Sequence, residues 1–329
     1  MNIKQALQSS TENLESHNIP SATLDAEVLL LEVLNENKLN LKNTKENDEE
    51  ILSPTLQNDN KKLNRSWLYT HDYYKLSAKE KELFNNFINQ RIKNKPVAYI
   101  INRKEFFGYD FFVNENVLIP RPETELIVEE VLKIINNKKD LKNKFNLIDV
   151  GTGSGCIVIS ILNELQKNKK RKTLNQSVAI DISSKAIEVA KINATKYNIE
   201  KNIKFINEDL KKEINQKSFL DSNNFIITAN LPYISNSNYK NLSSNVKDYE
   251  PELALVSGKD GLDDIKNLLS SISNIKLKLN QKIYLLLEAD PHQIIDIKKR
   301  TKEYFKDAKI KIINDFSEKE RIIIVEIKQ

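Results

Sequence analysis

The chain has 329 residues, 40% hydrophobic and 29% charged, enough for one large domain or two ordinary ones around a real core. A single cysteine, Cys156, excludes a disulfide framework and a multi-cysteine zinc site, and the scattered His17, His71 and His292 exclude a histidine-rich metal centre. The net charge of +5, from 51 basic against 46 acidic residues, makes no nucleic-acid-binding stripe, and nowhere is there the run of about 18 apolar residues that spans a membrane.

At the N-terminus, Met1 to Gln5 lack the apolar core of a signal peptide, so a cytoplasmic protein with no metal is expected. Ile3, Ala6, Leu7 and Leu14 share one helical face, and Leu24, Val28, Leu29, Leu31, Val33 and Leu34 mark a second, more buried helix. Residues 35–64 turn polar and read as an insertion or linker. Helix resumes at Ser77, which forms a capping box with Glu80; Leu83, Phe84, Phe87, Ile88 and Ile92 follow at helical spacing, and Pro96 closes the element. Trp67, Tyr69, Tyr73 and Tyr74 are expected to pack this helical region, with an exposed subset free to touch a protein substrate.

The pattern then changes. Residues 99–101, 106–107, 111–113 and 117–119 suggest short strands, with a hairpin turning at Gly108, Tyr109 and Asp110. After Pro120, Arg121 and Pro122 a helix carries Ile127, Val131 and Ile134 on one side. Apolar runs at 147–150, 178–180, 203–206, 225–227 and 283–287 alternate with helices starting near Cys156, Ser184 and Asp260, which predicts a parallel sheet covered on both faces. Runs at 310–313 and 321–325 predict a closing hairpin that adds an antiparallel strand at one end of the sheet.

Three of the six glycines, Gly151, Gly153 and Gly155, fall in five residues directly after the strand ending Asp149-Val150. Such clustering fits a tight strand-to-helix turn whose backbone approaches a ligand at a helix N-terminus, although the spacing misses the dinucleotide fingerprint because position 156 is Cys. Asp181 ends the second strand, where a carboxylate can grip both hydroxyls of a ribose. Asp209 follows the third, placed to meet an adenine amino group with Leu210 against the ring. Three such features at consecutive strand ends predict an adenosine-bearing cofactor. The fourth strand ends in Asn230, Leu231, Pro232 and Tyr233. The Asn230 amide oxygen and the Leu231 carbonyl can both accept from one planar NH2 group, Pro232 stiffens the turn and Tyr233 offers a flat face. Cys156, the basic run 167–172 and His292 read as a packed residue, a solvated loop and a loop histidine.

Asp149, Val150, Gly151, Thr152, Gly153, Ser154 and Gly155, with Asp181, Asp209 and Asn230 to Tyr233, resemble a class I S-adenosylmethionine-dependent methyltransferase of the amino-methylating kind. More specific are Glu105 to Gly108 with Ile119 to Glu125, and Glu250 to Leu255 followed by Gly258 to Leu262. With Asp25, Ala26 and Glu27 in the N-terminal helices, they resemble the peptide chain release factor glutamine methyltransferase family nearly end to end.

The resemblance implies an α/β fold, a Rossmann-like mixed sheet with an antiparallel C-terminal strand, and a small N-terminal helical domain. Residues 1–98, with the 35–64 insertion, would engage the substrate, and 99–329 would form a β-hairpin linker and the catalytic domain. It implies S-adenosylmethionine held by Asp149, Val150, Gly151, Thr152, Gly153, Asp181, Asp209, Leu210 and Asn230. Asn230, Leu231, Pro232 and Tyr233 would be catalytic and, with Phe106, would bind the substrate glutamine. That glutamine belongs to the Gly-Gly-Gln motif of class 1 release factors, whose methylation modulates translation termination, and the enzyme is expected to be a monomer without direct nucleic-acid contact. The family's usual motif has proline where Leu231 stands; leucine keeps the carbonyl, adds an N–H and is also used by adenine-methylating ribosomal RNA enzymes. A glutamine methyltransferase of a ribosomal protein and an adenine-N6 methyltransferase on RNA or DNA therefore stand as alternatives, the weak charge surplus counting against the second.

Overall fold

The structure is a computed structural model, and it describes residues 1–43, 62–137, 145–169, 174–209, 224–275, 277 and 281–328. The chain divides into two compact units, Met1–Ile101 and Asn102–Gln329.

The first unit is helical: α1 (Ile3–Ser16), α2 (Ala22–Asn43), α3 (Arg65–Thr70), α4 (Ala78–Ile92) and α5 (Val97–Ile100). Asn2 and Gln5 cap α1 reciprocally, and Ser77 with Glu80 forms the expected capping box of α4. The core joins Ile3, Leu14, Leu29, Leu30 and Leu34 to Phe84, Phe87 and Ile88. Inside it Arg91 Nε donates to Asp25 Oδ2 at 2.7 Å.

Two expectations for this unit are corrected. Helix α2 runs through the first nine residues of the polar stretch to Asn43, and buried Asn35 exchanges two hydrogen bonds with the Leu63 backbone, 2.8 and 3.3 Å long. The middle of the stretch, 44–61, lies outside the described residues. Residues 97–100 form a helical turn and not a strand, because Pro96 starts it and its carbonyl accepts from Tyr99 and Ile100 N–H. Of the aromatic group, Trp67 stacks on His71 and Tyr74 bonds Glu80, while Tyr69 and Tyr73 are exposed.

The second unit opens with an antiparallel hairpin, β1 (Arg103–Phe106) and β2 (Tyr109–Phe112). Its two-residue turn has Phe107 and Gly108 both at positive φ, the twist that suits a tight hairpin. Residues 117–119, expected as a strand, are irregular: the Ile119 N–H goes to the Glu250 carboxylate and not to a neighbouring strand. A 3-10 turn, Pro122–Thr124, leads into α6 (Glu125–Asn137).

The remaining elements alternate: β3 (Phe145–Val150), α7 (Cys156–Lys167), β4 (Leu174–Asp181), α8 (Ser184–Lys196), β5 (Ile203–Asn207) and β6 (Asn224–Ala229). Two short helices, α9 (Asn236–Tyr239) and α10 (Ser244–Lys247), precede α11 (Asp263–Ser273), which begins three residues beyond the expected start at Asp260. Then come β7 (Lys282–Glu288), α12 (Ile294–Tyr304), β8 (Lys309–Asn314) and β9 (Glu320–Lys328).

Among the described residues seven strands form one sheet in the order β5-β4-β3-β6-β7-β9-β8. All neighbouring pairs from β5 to β7 are parallel, and β9 runs antiparallel between β7 and β8. Central β3 and β6 are buried throughout, and alternate residues feed opposite layers: Leu147 joins the core with α6, α7 and α8, Ile148 the core with α11 and α12. The chain leaves β3 toward β4 on one side and later returns as β6 on the other. That reversal opens a crevice at the carboxyl ends of the strands.

Candidate active site

Asp149 has no exposed surface, and at the end of β3 it accepts hydrogen bonds from Thr152 Oγ1 at 2.7 Å and Thr228 Oγ1 at 2.8 Å. Burial pushes its carboxyl up to about 6. It therefore ties the loop after β3 to β6 from beneath. Gly151 and Thr152 both donate N–H to the Ile180 carbonyl, at 2.9 and 3.0 Å, which lays the loop across the end of β4. Gly151 has φ +68°, and a Cβ there would stand 2.9 Å from Leu231 Cδ2. Gly155, at φ +79°, is the N-cap of α7, where a Cβ would meet Ile159 Cδ1 at 2.8 Å and Ala190 Cβ at 3.3 Å.

Asp181 accepts from Gly153 N–H through Oδ2 and from Ser183 N–H through Oδ1, both at 2.9 Å, and burial raises its pKa. Ser183 also caps α8 through the Ala186 N–H. At the end of β6 the Asn230 Nδ2 donates to Thr124 Oγ1 at 3.0 Å, and that hydroxyl donates to Glu288 Oε2 at 2.6 Å. Thr124 and Glu288 are both 2% exposed, and burial pushes the Glu288 carboxyl up to about 7. Two further braces hold the loops. Buried Glu250 accepts from Ile119 N–H at 3.2 Å and from Arg121 at 2.5 Å, while Gln293 Nε2 donates to the Tyr233 and Asp260 carbonyls at 2.9 and 3.1 Å.

These elements enclose a cavity of about 430 Å³, within the size range of small-molecule sites. It brings together Gly151, Thr152, Gly153, Asp181, Asp209, Asn230, Leu231 and Pro232. It does not reach four residues expected at the site. Asp149 and Val150 are covered by the loop they support, Phe106 is buried in the core against Phe111, and half-buried Tyr233 stands off the cavity wall. Leu210 lies outside the described residues. Thr124, Ile182, Glu208 and Leu253 also line the cavity; Thr124 and Leu253 lie in the 119–125 and 250–255 segments, while no motif marks Ile182 or Glu208 for a site role. Cys156 is buried, and burial pushes its thiol up to about 12, as fits a packed residue. Of the basic run, Lys167 pairs with Glu164, and 170–172 lie outside the described residues.

The donor set fits an adenosine-bearing cofactor. Two carboxylates stand at adjacent strand ends, exposed apolar Ile182 lies between them in the chain, and a glycine turn lets backbone approach closely. The sheet order with its reversed β9, the glycine turn and this cavity define a class I S-adenosylmethionine-dependent methyltransferase. A methyltransferase-domain model matches residues 141–288, and a PrmC N-terminal domain model matches 56–101. The chain is 34% identical over 270 residues to the release factor glutamine methyltransferase of Bacillus anthracis, covering 81% of this chain and 89% of the relative. It is 38% identical over 267 residues to that of Leptospira interrogans, covering 81% and 77%. The chain belongs to the release factor glutamine methyltransferase family. Among solved structures, the N-terminal domain of human METTL16 in complex with SAH overlaps 68% of this chain and 77% of its own, at TM-score 0.45 and 16% identity.

No helix among the described residues is long and apolar enough to cross a membrane.

Proposed function

We propose that this chain methylates the side-chain amide nitrogen of the glutamine in the Gly-Gly-Gln motif of class 1 peptide chain release factors, acting as a monomer in the cytoplasm without contacting nucleic acid directly. The observation that carries the reading is the setting of Asn230. Its Nδ2 is engaged by Thr124, which leaves Oδ1 as an acceptor at the cavity.

S-adenosylmethionine, when bound, supplies a methyl group on a positively charged sulfur. Asp181 and Asp209 hold the ribose and adenine, and Gly151 to Gly153 approach through their backbone. Asn230 Oδ1 and the Leu231 carbonyl would accept the two N–H bonds of the glutamine amide and hold its nitrogen toward the bound cofactor. The methylated nitrogen would carry one surplus proton, which would leave to water. An amide nitrogen is a weak nucleophile, so alignment and fixed dipoles must supply most of the acceleration, several kcal/mol, roughly. Pro232 stiffens the turn that presents both acceptors, and Tyr233 follows it, its carbonyl tied to Gln293.

The test incubates the enzyme with labelled cofactor and, separately, a release factor, ribosomal protein and RNA. Label on the Gly-Gly-Gln glutamine, located by mass spectrometry, is the expected result. Label confined to a ribosomal protein or to adenine would replace this substrate with another.

A further inference from the structure

Thr124 bonds Asn230 at the cavity wall and Glu288 bonds Thr124 in turn, and nothing in the reaction above uses either. We infer that Thr124, backed by Glu288, is a positioning residue that dictates which way round the Asn230 carboxamide stands, and so which kind of group the site can recognise. This rests on the role given above to Asn230.

A threonine hydroxyl has one proton. Here that proton is committed to Glu288 Oε2 at 2.6 Å, so toward Asn230 the Thr124 oxygen acts only as an acceptor and takes the Nδ2 proton at 3.0 Å. Both Thr124 and Glu288 are buried, which keeps water from competing for the bond between them. The polarity runs in one direction, amide N–H to hydroxyl to carboxylate, and it fixes Oδ1 as the atom offered to the cavity. A carboxamide turned over would present N–H bonds to the N–H bonds of a glutamine amide, a donor facing donors.

The relay also accounts for a carboxylate at the end of a sheet strand. Glu288 closes β7, next to β6, and the charged or titratable groups acting on it are Arg121 and Glu123 from the 3-10 turn, Arg321 from β9, Tyr233 and Cys156. Both arginines have other partners: Arg121 bonds Glu250 at 2.5 Å and Arg321 bonds Asp315 at 3.3 Å. Glu288 thus has no arginine of its own, and burial holds its carboxyl near 7. Ionised, it fixes the relay. Protonated, it can donate to Thr124, whose proton is then free to turn toward Asn230 and let the carboxamide flip. Turnover should therefore rise as pH rises through about 7, with saturating cofactor.

The test uses the full chain with a release factor as substrate and compares Thr124→Val, Thr124→Ser, Glu288→Gln and Asn230→Ala. Thr124→Val should lower kcat about 10-fold or more with cofactor affinity by calorimetry unchanged, and Thr124→Ser should recover most of the loss. Glu288→Gln should flatten the acidic limb that the unsubstituted enzyme shows. Wild-type kcat with Thr124→Val beside an inactive Asn230→Ala overturns this inference and leaves the Asn230 reading intact. Full turnover of Asn230→Ala overturns both. Should Thr124→Val fail to fold, the unsubstituted enzyme decides: a kcat flat between about pH 6 and 8 refutes the relay.

Discussion

Gly151 and Leu231 come together where the loop after β3 passes the loop after β6, so close that a Cβ on Gly151 would stand 2.9 Å from Leu231 Cδ2. Leu231 is buried in the core that α11 and α12 share and also lines the cavity, so its side chain can retreat only into the space the cofactor needs. Gly151 also holds φ +68°, a conformation that costs an L-residue about 1–2 kcal/mol. Gly151→Ala therefore combines backbone strain with a steric push on the turn carrying Asn230. Cofactor affinity should fall at least about 10-fold and turnover with it, measured by calorimetry and methyl transfer. Adding Leu231→Ala should relieve only the steric part. Unchanged affinity in the single variant would show that the loop can shift without cost.

Asp181 illustrates a residue whose place was readable but whose partners were not. It receives N–H bonds from Gly153 and Ser183, so it holds the glycine loop and faces the cavity at once. Asp181→Ala should weaken cofactor binding by about 10- to 100-fold, the scale of hydrogen bonds to a charged group. kcat at saturating cofactor should change far less, because Asp181 does not bond Asn230 or Thr124. A variant with normal affinity and slow turnover would assign Asp181 to the wrong step.

What was legible in the chain followed short-range rules. The Ser77–Glu80 capping box, the apolar strands and the glycine cluster each announce themselves within a few residues. Strand ends were therefore placed well enough to collect Asp181, Asp209 and Asn230 at one cavity. The failures at 117–119 and at Thr124 share a cause, which is long-range partnership, whereas Phe106 is claimed by a neighbour in its own hairpin. Residues 117–119 have the apolar character of a strand, yet Glu250, 131 positions away, takes the Ile119 N–H. Phe106 sits in a motif that suggested a pocket wall, but its ring packs on Phe111 in the core. Thr124 and Glu288 are 164 residues apart and no local pattern pairs them.

Glu250 gives the two specific segments a common physical purpose. Its carboxylate, buried to 4% exposure, bonds both the Ile119 N–H and the Arg121 guanidinium, so the 119–125 and 250–255 stretches are held as one piece beside the cavity. Glu250→Ala leaves a buried N–H and an arginine without their acceptor. Arg121 is partly exposed and can find water, so the cost should be about 2 kcal/mol, below that of breaking a fully buried pair. Thermal unfolding should show a lower Tm, and turnover should fall because Pro120 and Thr124 move with the segment. An unchanged Tm would mean that the two segments pack without this link.

Asp149 predicts how stability should depend on pH. Its pKa is raised from 3.8 to about 6 in the folded protein, chiefly by burial, and the hydroxyls of Thr152 and Thr228 only partly offset that. A carboxylate raised on folding favours the folded state while it is protonated, and loses that contribution as pH rises through the folded value. Asp149→Asn keeps the shape, and both threonine hydroxyls can turn to suit an amide, but it cannot ionise. The stability of the variant relative to the unsubstituted protein should therefore climb between about pH 4 and 6 by about 3 kcal/mol and stay level above that. Glu288, also raised, titrates in both proteins and cancels from the difference. Urea unfolding of the pair across this range checks it, and curves that stay parallel from acid to neutral pH would mean that Asp149 remains ionised despite its burial.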